Sequence, residues 1–146
     1  NAAPFGVFMK LPRDGKMRRI YVHDHPRSAI AAVLANGWLI INTHLSFVPF
    51  FNFLQLLQVK RWARQLPIQD KARIIIMGDL NLHSRFLVRG VNWNLLATKQ
   101  TFPSWAPGVQ KDYILSQKVS SEDVLQTEIP ESGISDHLPI SVDIDQ

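Results

Sequence analysis

The stretch RIIIMGDLNLHSRF, residues 73–86, changes abruptly from apolar to polar residues. Three isoleucines and a methionine form an uninterrupted apolar run, which is typical of a strand buried on both faces of a sheet. Gly78 follows this run, and Asp79 and Asn81 then stand two residues apart. The pattern predicts a central strand that places a carboxylate and a carboxamide at the rim of a sheet, where layered α/β proteins position functional side chains.

The chain of 146 residues is long enough for a single domain, predicted over residues 1–146. It contains no cysteine and no apolar run near the roughly 18 residues of a membrane span, and no secretory leader is visible. These features favour a cytoplasmic protein. Residues 1–99 carry 14 lysines and arginines against 4 acidic residues, whereas residues 100–146 carry 2 against 8. This asymmetry suits an anionic substrate, although solvated surface charge of arbitrary sign is the alternative.

Apolar patterning predicts a strand-rich α/β chain. Asn36-Gly37 between two apolar runs predicts a hairpin over residues 28–46. Helical spacing predicts a helix over residues 52–66, with Asn52 as its N-cap and Pro67 ending it. The predicted strands cover residues 5–11, 18–24, 73–79, 112–116 and 138–144, with a turn at 13–16 between the first two.

Polar residues collect at the ends of the predicted strands. If the last strand runs antiparallel to the strands ending at His44 and Asp79, we expect these side chains at one sheet edge. The candidate set is His44, Asp79, Asn81, Asp112, Asp136 and His137. A set with three carboxylates, two imidazoles and no thiol suits Mg²⁺ or Mn²⁺ and the activation of water at a phosphoryl group. Each motif alone is compatible with ordinary turns and caps; their combination indicates a site.

Four motifs together resemble the endonuclease/exonuclease/phosphatase superfamily, which includes deoxyribonuclease I-like nucleases, inositol polyphosphate 5-phosphatases and neutral sphingomyelinases. The motifs are NTHLSF (42–47), IMGDLNL (77–82), TFPSW with KDYILS (101–116), and SDHLPISV (135–142). The resemblance implies part of a four-layer αββα sandwich. It also implies a Mg²⁺- or Mn²⁺-dependent hydrolase of phosphoester bonds.

The resemblance also implies roles for the matching residues. His44 would contact the scissile phosphate, and Asp79 would position or deprotonate the attacking water and take part in metal binding. Asn81 would hold a phosphate oxygen. His137 would be the catalytic histidine that acts on the phosphate, and Asp112 the carboxylate that orients it. Asp136 would be a metal ligand.

The chain departs from the family pattern in two respects. An early asparagine motif and a metal-binding glutamate are absent, since Glu122 is the first glutamate. We therefore expect the N-terminal half of the sandwich to be missing, the metal site to be incomplete, and the chain to self-associate or to need the missing half. Gln110-Lys111 precedes Asp112 where many relatives carry a basic-apolar pair.

Several alternatives remain open from sequence. One expected substrate is a phosphodiester, and the basic excess favours nucleic acid. The other is an inositol phosphate or a phospholipid headgroup. The alternative to an enzyme is a truncated or non-catalytic binding module with the same fold. The aromatic segment SFVPFFNF (46–53) is either core packing at the start of the helix or an aromatic rim for a substrate.

Overall fold

The computed structural model describes residues 11–13, 16–18, 27–68, 70, 73–82, 88, 90, 92–128 and 134–144. The strands are β1 Leu11–Arg13, β2 Lys16–Arg18, β3 Ala29–Val33, β4 Leu39–Thr43, β5 Ile74–Asp79, β6 Asn94–Leu95, β7 Asp112–Ser116, β8 Val124–Glu128 and β9 Ser141–Ile144. An α-helix, α1, spans Phe51–Gln65, and a 3-10 turn spans Ser121–Asp123. The fold is mixed α/β and strand-rich.

The central sheet has five strands in the order β3-β4-β5-β7-β6. β4 and β5 are parallel and are joined through α1, whereas the other neighbouring pairs are antiparallel. The carboxyl ends of β4 and β5 and the amino end of β7 therefore lie at the same edge of the sheet. That edge is where the sequence predicts the site.

The two faces of β5 point into different hydrophobic clusters. Ile74 and Ile76 pack in the cluster that includes Leu56 and Ala63 of α1. Ile75, on the opposite face, packs in a second cluster that includes side chains of β9. Because a strand alternates its side chains, the uninterrupted apolar run of β5 follows from this double burial. Burying each isoleucine fully stabilises the fold by about 1.5–3 kcal/mol.

The hairpin predicted around Asn36-Gly37 is confirmed. β3 and β4 pair antiparallel, and Gly37 adopts a φ of 85°, a conformation that glycine takes without steric cost. The predicted strands over 73–79 and 112–116 correspond to β5 and β7. Of the two earliest predicted strands, only Leu11 and Arg18 lie among the described residues, in β1 and β2, which pair antiparallel with Arg13 opposite Lys16.

Two predictions were wrong in detail. α1 begins at Phe51 with Phe50 at the N-cap position, so Asn52 lies in the first turn rather than at the cap. Its buried side-chain amide donates to the backbone oxygen of Asn81 (2.6 Å) instead, which satisfies a carbonyl far along the chain. The last strand begins at Ser141, three residues later than predicted, and pairs with β8 in a separate two-stranded sheet rather than joining the central one.

Among the residues that the structure describes, no helix is both long enough and apolar enough to cross a membrane.

Candidate active site

The ends of β4, β5 and β7 bring three predicted site residues together. His44 follows β4, and its Nε2 lies 3.4 Å from Oδ2 of Asp79, the last residue of β5. Asp112, the first residue of β7, is the direct cross-strand partner of Asp79. Two carboxylates and an imidazole therefore share one rim, as the strand-end pattern predicts.

Gly78 allows β4 and β5 to approach closely at this rim. Its φ is 127°, and a Cβ built at this position would lie 2.1 Å from the backbone oxygen of Thr43. The close approach continues one step further, where the backbone N–H of Leu45 donates to the backbone oxygen of Asp79 (2.9 Å). This bond holds the chain on either side of His44 against the end of β5.

His137 joins the rim from outside the central sheet. Its Nδ1 lies 2.7 Å from Oδ2 of Asp112, and its Nε2 lies 3.9 Å from Oδ2 of Asp79. The segment that carries His137 is attached through its backbone, since Leu138 N–H donates to the backbone oxygen of Thr101 (2.8 Å). His137 thus reaches the site although β9 does not extend the central sheet.

Asp112 is itself held in place by Thr101. The Thr101 hydroxyl donates to Oδ2 of Asp112 (2.6 Å) and accepts the backbone N–H of Asp112 (3.3 Å). An aspartate bound to Nδ1 of a histidine stabilises the tautomer that carries its proton on Nδ1 and leaves Nε2 to exchange protons with a substrate. Thr101, Asp112 and His137 therefore have the connectivity of an acid–base unit.

Burial raises the pKa of Asp79 above the ordinary aspartate value. His44, the backbone N–H of Asn81 and His137 act in the opposite direction, whereas the neighbouring carboxylate of Asp112 adds to the increase. A partly buried carboxylate with a raised pKa, close to two imidazoles, is suited to accept a proton from water.

Asn81 lies beneath the rim and is only 4% exposed. Its Nδ2 donates to the backbone oxygen of Leu45 (3.2 Å), and its Oδ1 accepts Nζ of Lys111 (2.9 Å). Its backbone oxygen accepts the Asn52 amide described above, and its N–H donates to Oδ1 of Asp79 (3.0 Å). Both ends of the Asn81 carboxamide are therefore engaged within the protein.

Asp136 is exposed and is attached through its backbone, whose oxygen accepts the N–H of Ser104 (2.7 Å). Among the described residues, its carboxylate takes part in none of the ion pairs of the rim. The structure thus brings four of the six predicted residues into direct contact, places Asn81 underneath them, and leaves Asp136 on the adjoining loop.

Three further residues of the site escaped sequence reasoning, namely Asn52, Thr101 and Lys111. Thr101 is fully buried and Asn52 is 1% exposed, and a buried polar side chain needs partners that only the folded chain supplies. The departure at Gln110-Lys111 was the one available signal for Lys111. His83, which follows the GDLN motif, lies outside the described residues.

The donor chemistry of the rim fits a hard divalent cation only in part. The described part of the chain holds no group of three or more His, Cys, Asp or Glu side chains arranged to hold a metal ion. The rim does offer carboxylate oxygens, and Mg²⁺ in proteins is often bound by one or two carboxylates, with water and substrate completing its coordination. The residues present therefore fit this sparse type of magnesium site and not a dedicated protein cage.

The phenylalanines of residues 46–53 differ in burial, so neither core packing nor an exposed aromatic rim describes all of them. Phe51 is 1% exposed and packs inside, whereas Phe47 and Phe50 are 62% and 69% exposed. In the TFPSW loop, Phe102 packs against the His137 ring at a centroid distance of 4.9 Å, whereas Trp105 is 77% exposed.

No protein-family model matches this chain, and a comparison with curated proteins finds no significant match.

Proposed function

We propose that this chain carries the catalytic rim of a phosphoester hydrolase that cleaves a phosphodiester with water as the nucleophile. The observation that supports this most directly is the contact between His137 and Asp112, 2.7 Å, with Asp79 facing Nε2 of the same ring. Such a chain of carboxylate, imidazole and carboxylate suits proton transfer at a reacting phosphate.

Each group has a distinct proposed role. Asp79 accepts a proton from the water that attacks phosphorus. His44, 61% exposed in its side chain and 3.4 Å from Asp79, protonates the leaving oxygen as the P–O bond breaks. His137, oriented by Asp112, donates an Nε2–H to a non-bridging oxygen of the phosphate when its ring is doubly protonated.

Asp79 and Asp136 are the proposed ligands of a Mg²⁺ or Mn²⁺ ion. When bound, such an ion would neutralise charge on the phosphate oxygens. The finer fold assignment belongs to the same proposal: the layers described above are part of a four-layer αββα sandwich whose other half lies outside these 146 residues. Ile30 supports a larger second sheet, because it is 72% exposed on the sheet face that β9 covers elsewhere.

Nucleic acid is the proposed substrate class. The excess of lysine and arginine over residues 1–99 supports a polyanion, and exposed Phe47, Phe50 and Trp105 lie on the segments that carry or contact the site. Aromatic side chains near a phosphodiester site provide stacking surfaces for bases.

The test is hydrolysis of bis(4-nitrophenyl) phosphate with Mn²⁺ by the full chain and by three variants. We expect Asp112→Asn and Asp79→Asn to lower kcat about 100-fold or more, because the first releases the orientation of His137 and the second removes the group that accepts the proton of the attacking water. Asp143→Asn is the matched control, since Asp143 is an exposed carboxylate on β9. Activity retained in Asp112→Asn would contradict the proposed mechanism, and absence of hydrolysis by the unmodified chain with retained phosphate binding would favour a binding module.

A further inference from the structure

Lys111 brings a cation to the candidate active site that the roles above do not use. Its side-chain Nζ donates to Oδ1 of Asn81 (2.9 Å), whose backbone N–H holds Asp79. The same Nζ lies 5.2 Å from the ring centroid of Phe102, within the range of a cation–π contact. Phe102 in turn packs against the His137 ring. The ammonium group therefore lies between the two parts of the rim, the loop after β5 and the loop that carries Thr101.

The backbone of Lys111 is also fixed from both sides. Its N–H donates to the hydroxyl of Thr101 (3.3 Å), and its carbonyl oxygen accepts the N–H of Leu80 (3.1 Å). The side chain thus begins from a rigid point directly before Asp112. Preorganisation of this kind lowers the entropic cost of placing a flexible lysine against a ligand.

The ammonium group retains capacity for an anion. Among the residues that the structure describes, no carboxylate forms an ion pair with Nζ of Lys111. An ammonium has three donors, of which Asn81 takes one. A phosphate that approaches this rim meets the carboxylates of Asp79 and Asp112, which repel it, so a fixed cation beside them has a clear electrostatic purpose.

We propose that Lys111 binds a non-bridging phosphate oxygen at this rim. Its positive charge acts on the phosphate whether or not a metal ion is bound. This inference rests on the proposed phosphoester chemistry of the same site and identifies a further residue of it. Asn81 acts as the positioning residue, since its carboxamide aims the ammonium and its N–H aims Asp79. The buried location of Asn81 suits this supporting role better than direct contact with a phosphate oxygen.

The test is the affinity of the full chain for inorganic phosphate in buffer containing EDTA, measured by isothermal titration calorimetry. We expect Lys111→Gln to weaken binding about tenfold or more, the effect of losing one charge-assisted hydrogen bond, while Lys111→Arg keeps most of the affinity. Lys118→Gln is the matched control, because Lys118 pairs with Asp70 (3.7 Å) beyond the other end of β7. It removes the same charge and should change the affinity less than twofold.

Three results would overturn the inference: no phosphate binding by the unmodified chain, unchanged affinity in Lys111→Gln, or an equal loss in Lys118→Gln. The variant Lys111→Arg tests for a merely structural role of Lys111, since it keeps the charge but changes the shape of the side chain. Equal losses of affinity in Lys111→Arg and Lys111→Gln would therefore also count against direct binding.

Measuring phosphodiester hydrolysis beside phosphate binding separates the failure of this inference from the failure of the proposed function. Binding that depends on Lys111 in a chain that hydrolyses no phosphodiester would support the anion site and refute the hydrolase. Hydrolysis with unchanged phosphate affinity, kcat and KM in Lys111→Gln would refute the role of Lys111 and leave the hydrolase standing.

Discussion

Gly78 is the position where a single methyl group should do the most damage to both fold and site. It lies in β5 opposite Tyr113, with a φ of 127°. In Gly78→Ala the new Cβ would lie 2.1 Å from the backbone oxygen of Thr43 and 2.7 Å from Oδ1 of Asn42. The asparagine side chain has room to rotate, but the Thr43 carbonyl belongs to the neighbouring strand and moves only if β4 and β5 separate.

The expected cost has three physical parts. Holding a non-glycine residue at this φ costs about 1–3 kcal/mol. Forcing two packed strands apart costs typically about 1–3 kcal/mol. The separation also weakens the bond from Leu45 N–H to the Asp79 oxygen, worth about 1 kcal/mol. A total near 5 kcal/mol is comparable with the whole stability of many domains and corresponds to a melting temperature lower by roughly 10–20 °C.

Gly37→Ala is the matched control for this experiment. Gly37 also has a positive φ, 85°, but a Cβ there would meet nothing closer than Nη1 of Arg73, at 3.9 Å. Only the conformational cost remains, about 1–2 kcal/mol. Any cost of Gly78→Ala well above that of Gly37→Ala therefore reports mainly the collision with Thr43.

The assay is urea unfolding followed by tryptophan fluorescence, since Trp38 and Trp93 are buried. A cost for Gly78→Ala no larger than that for Gly37→Ala would refute the close-approach reasoning. In any folded fraction of Gly78→Ala, we expect the NMR resonances of the His44 ring to shift, because the separation moves His44 away from Asp79.

Three further predictions concern the polar groups of the rim. Burial raises the pKa of Asp79 in the folded state above the value of about 3.9 in the unfolded state. Between these two pKa values the folded state binds more protons than the unfolded state. The stability that protonated Asp79 contributes is therefore lost as the pH rises through this window. In urea titrations, the free energy of unfolding of Asp79→Asn minus that of the unmodified chain should therefore increase as the pH rises from 3 to 7. A difference independent of pH would refute this. Asn52→Ala should cost about 2–4 kcal/mol in the free energy of unfolding, because it leaves the Asn81 oxygen and the Phe53 N–H without their buried partner; a cost below about 1 kcal/mol would show that water replaces the amide. Thr101→Val should shift the pH dependence of phosphodiester hydrolysis while Thr101→Ser restores it, since only the serine keeps a hydroxyl to donate to Asp112; identical profiles for both variants would contradict this role.

Local patterning was sufficient to predict the strands that carry the site. An apolar run such as that of β5 has one stable environment, a strand covered on both faces, and Asn36-Gly37 has one favoured geometry between two such runs. Because a parallel pair brings its carboxyl ends to one edge, the meeting of His44 and Asp79 followed from the same reasoning. The short strands β6 and β8 carry too little pattern for such a prediction, since each depends on a partner that is distant or late in the chain.

Apolar patterning along the chain is enough to show which residues end the central strands, and therefore which chemical groups stand at the rim: His44, Asp79 and Asp112. The family resemblance had already paired Asp112 with His137. Folding adds that His137 approaches Asp112 from a segment outside the central sheet, and that Asn81 is buried under the rim with its carboxamide holding Lys111. Strand placement depends on periodic burial that neighbouring residues share, whereas the aim of a polar side chain depends on single donors and acceptors contributed by residues up to dozens of positions away.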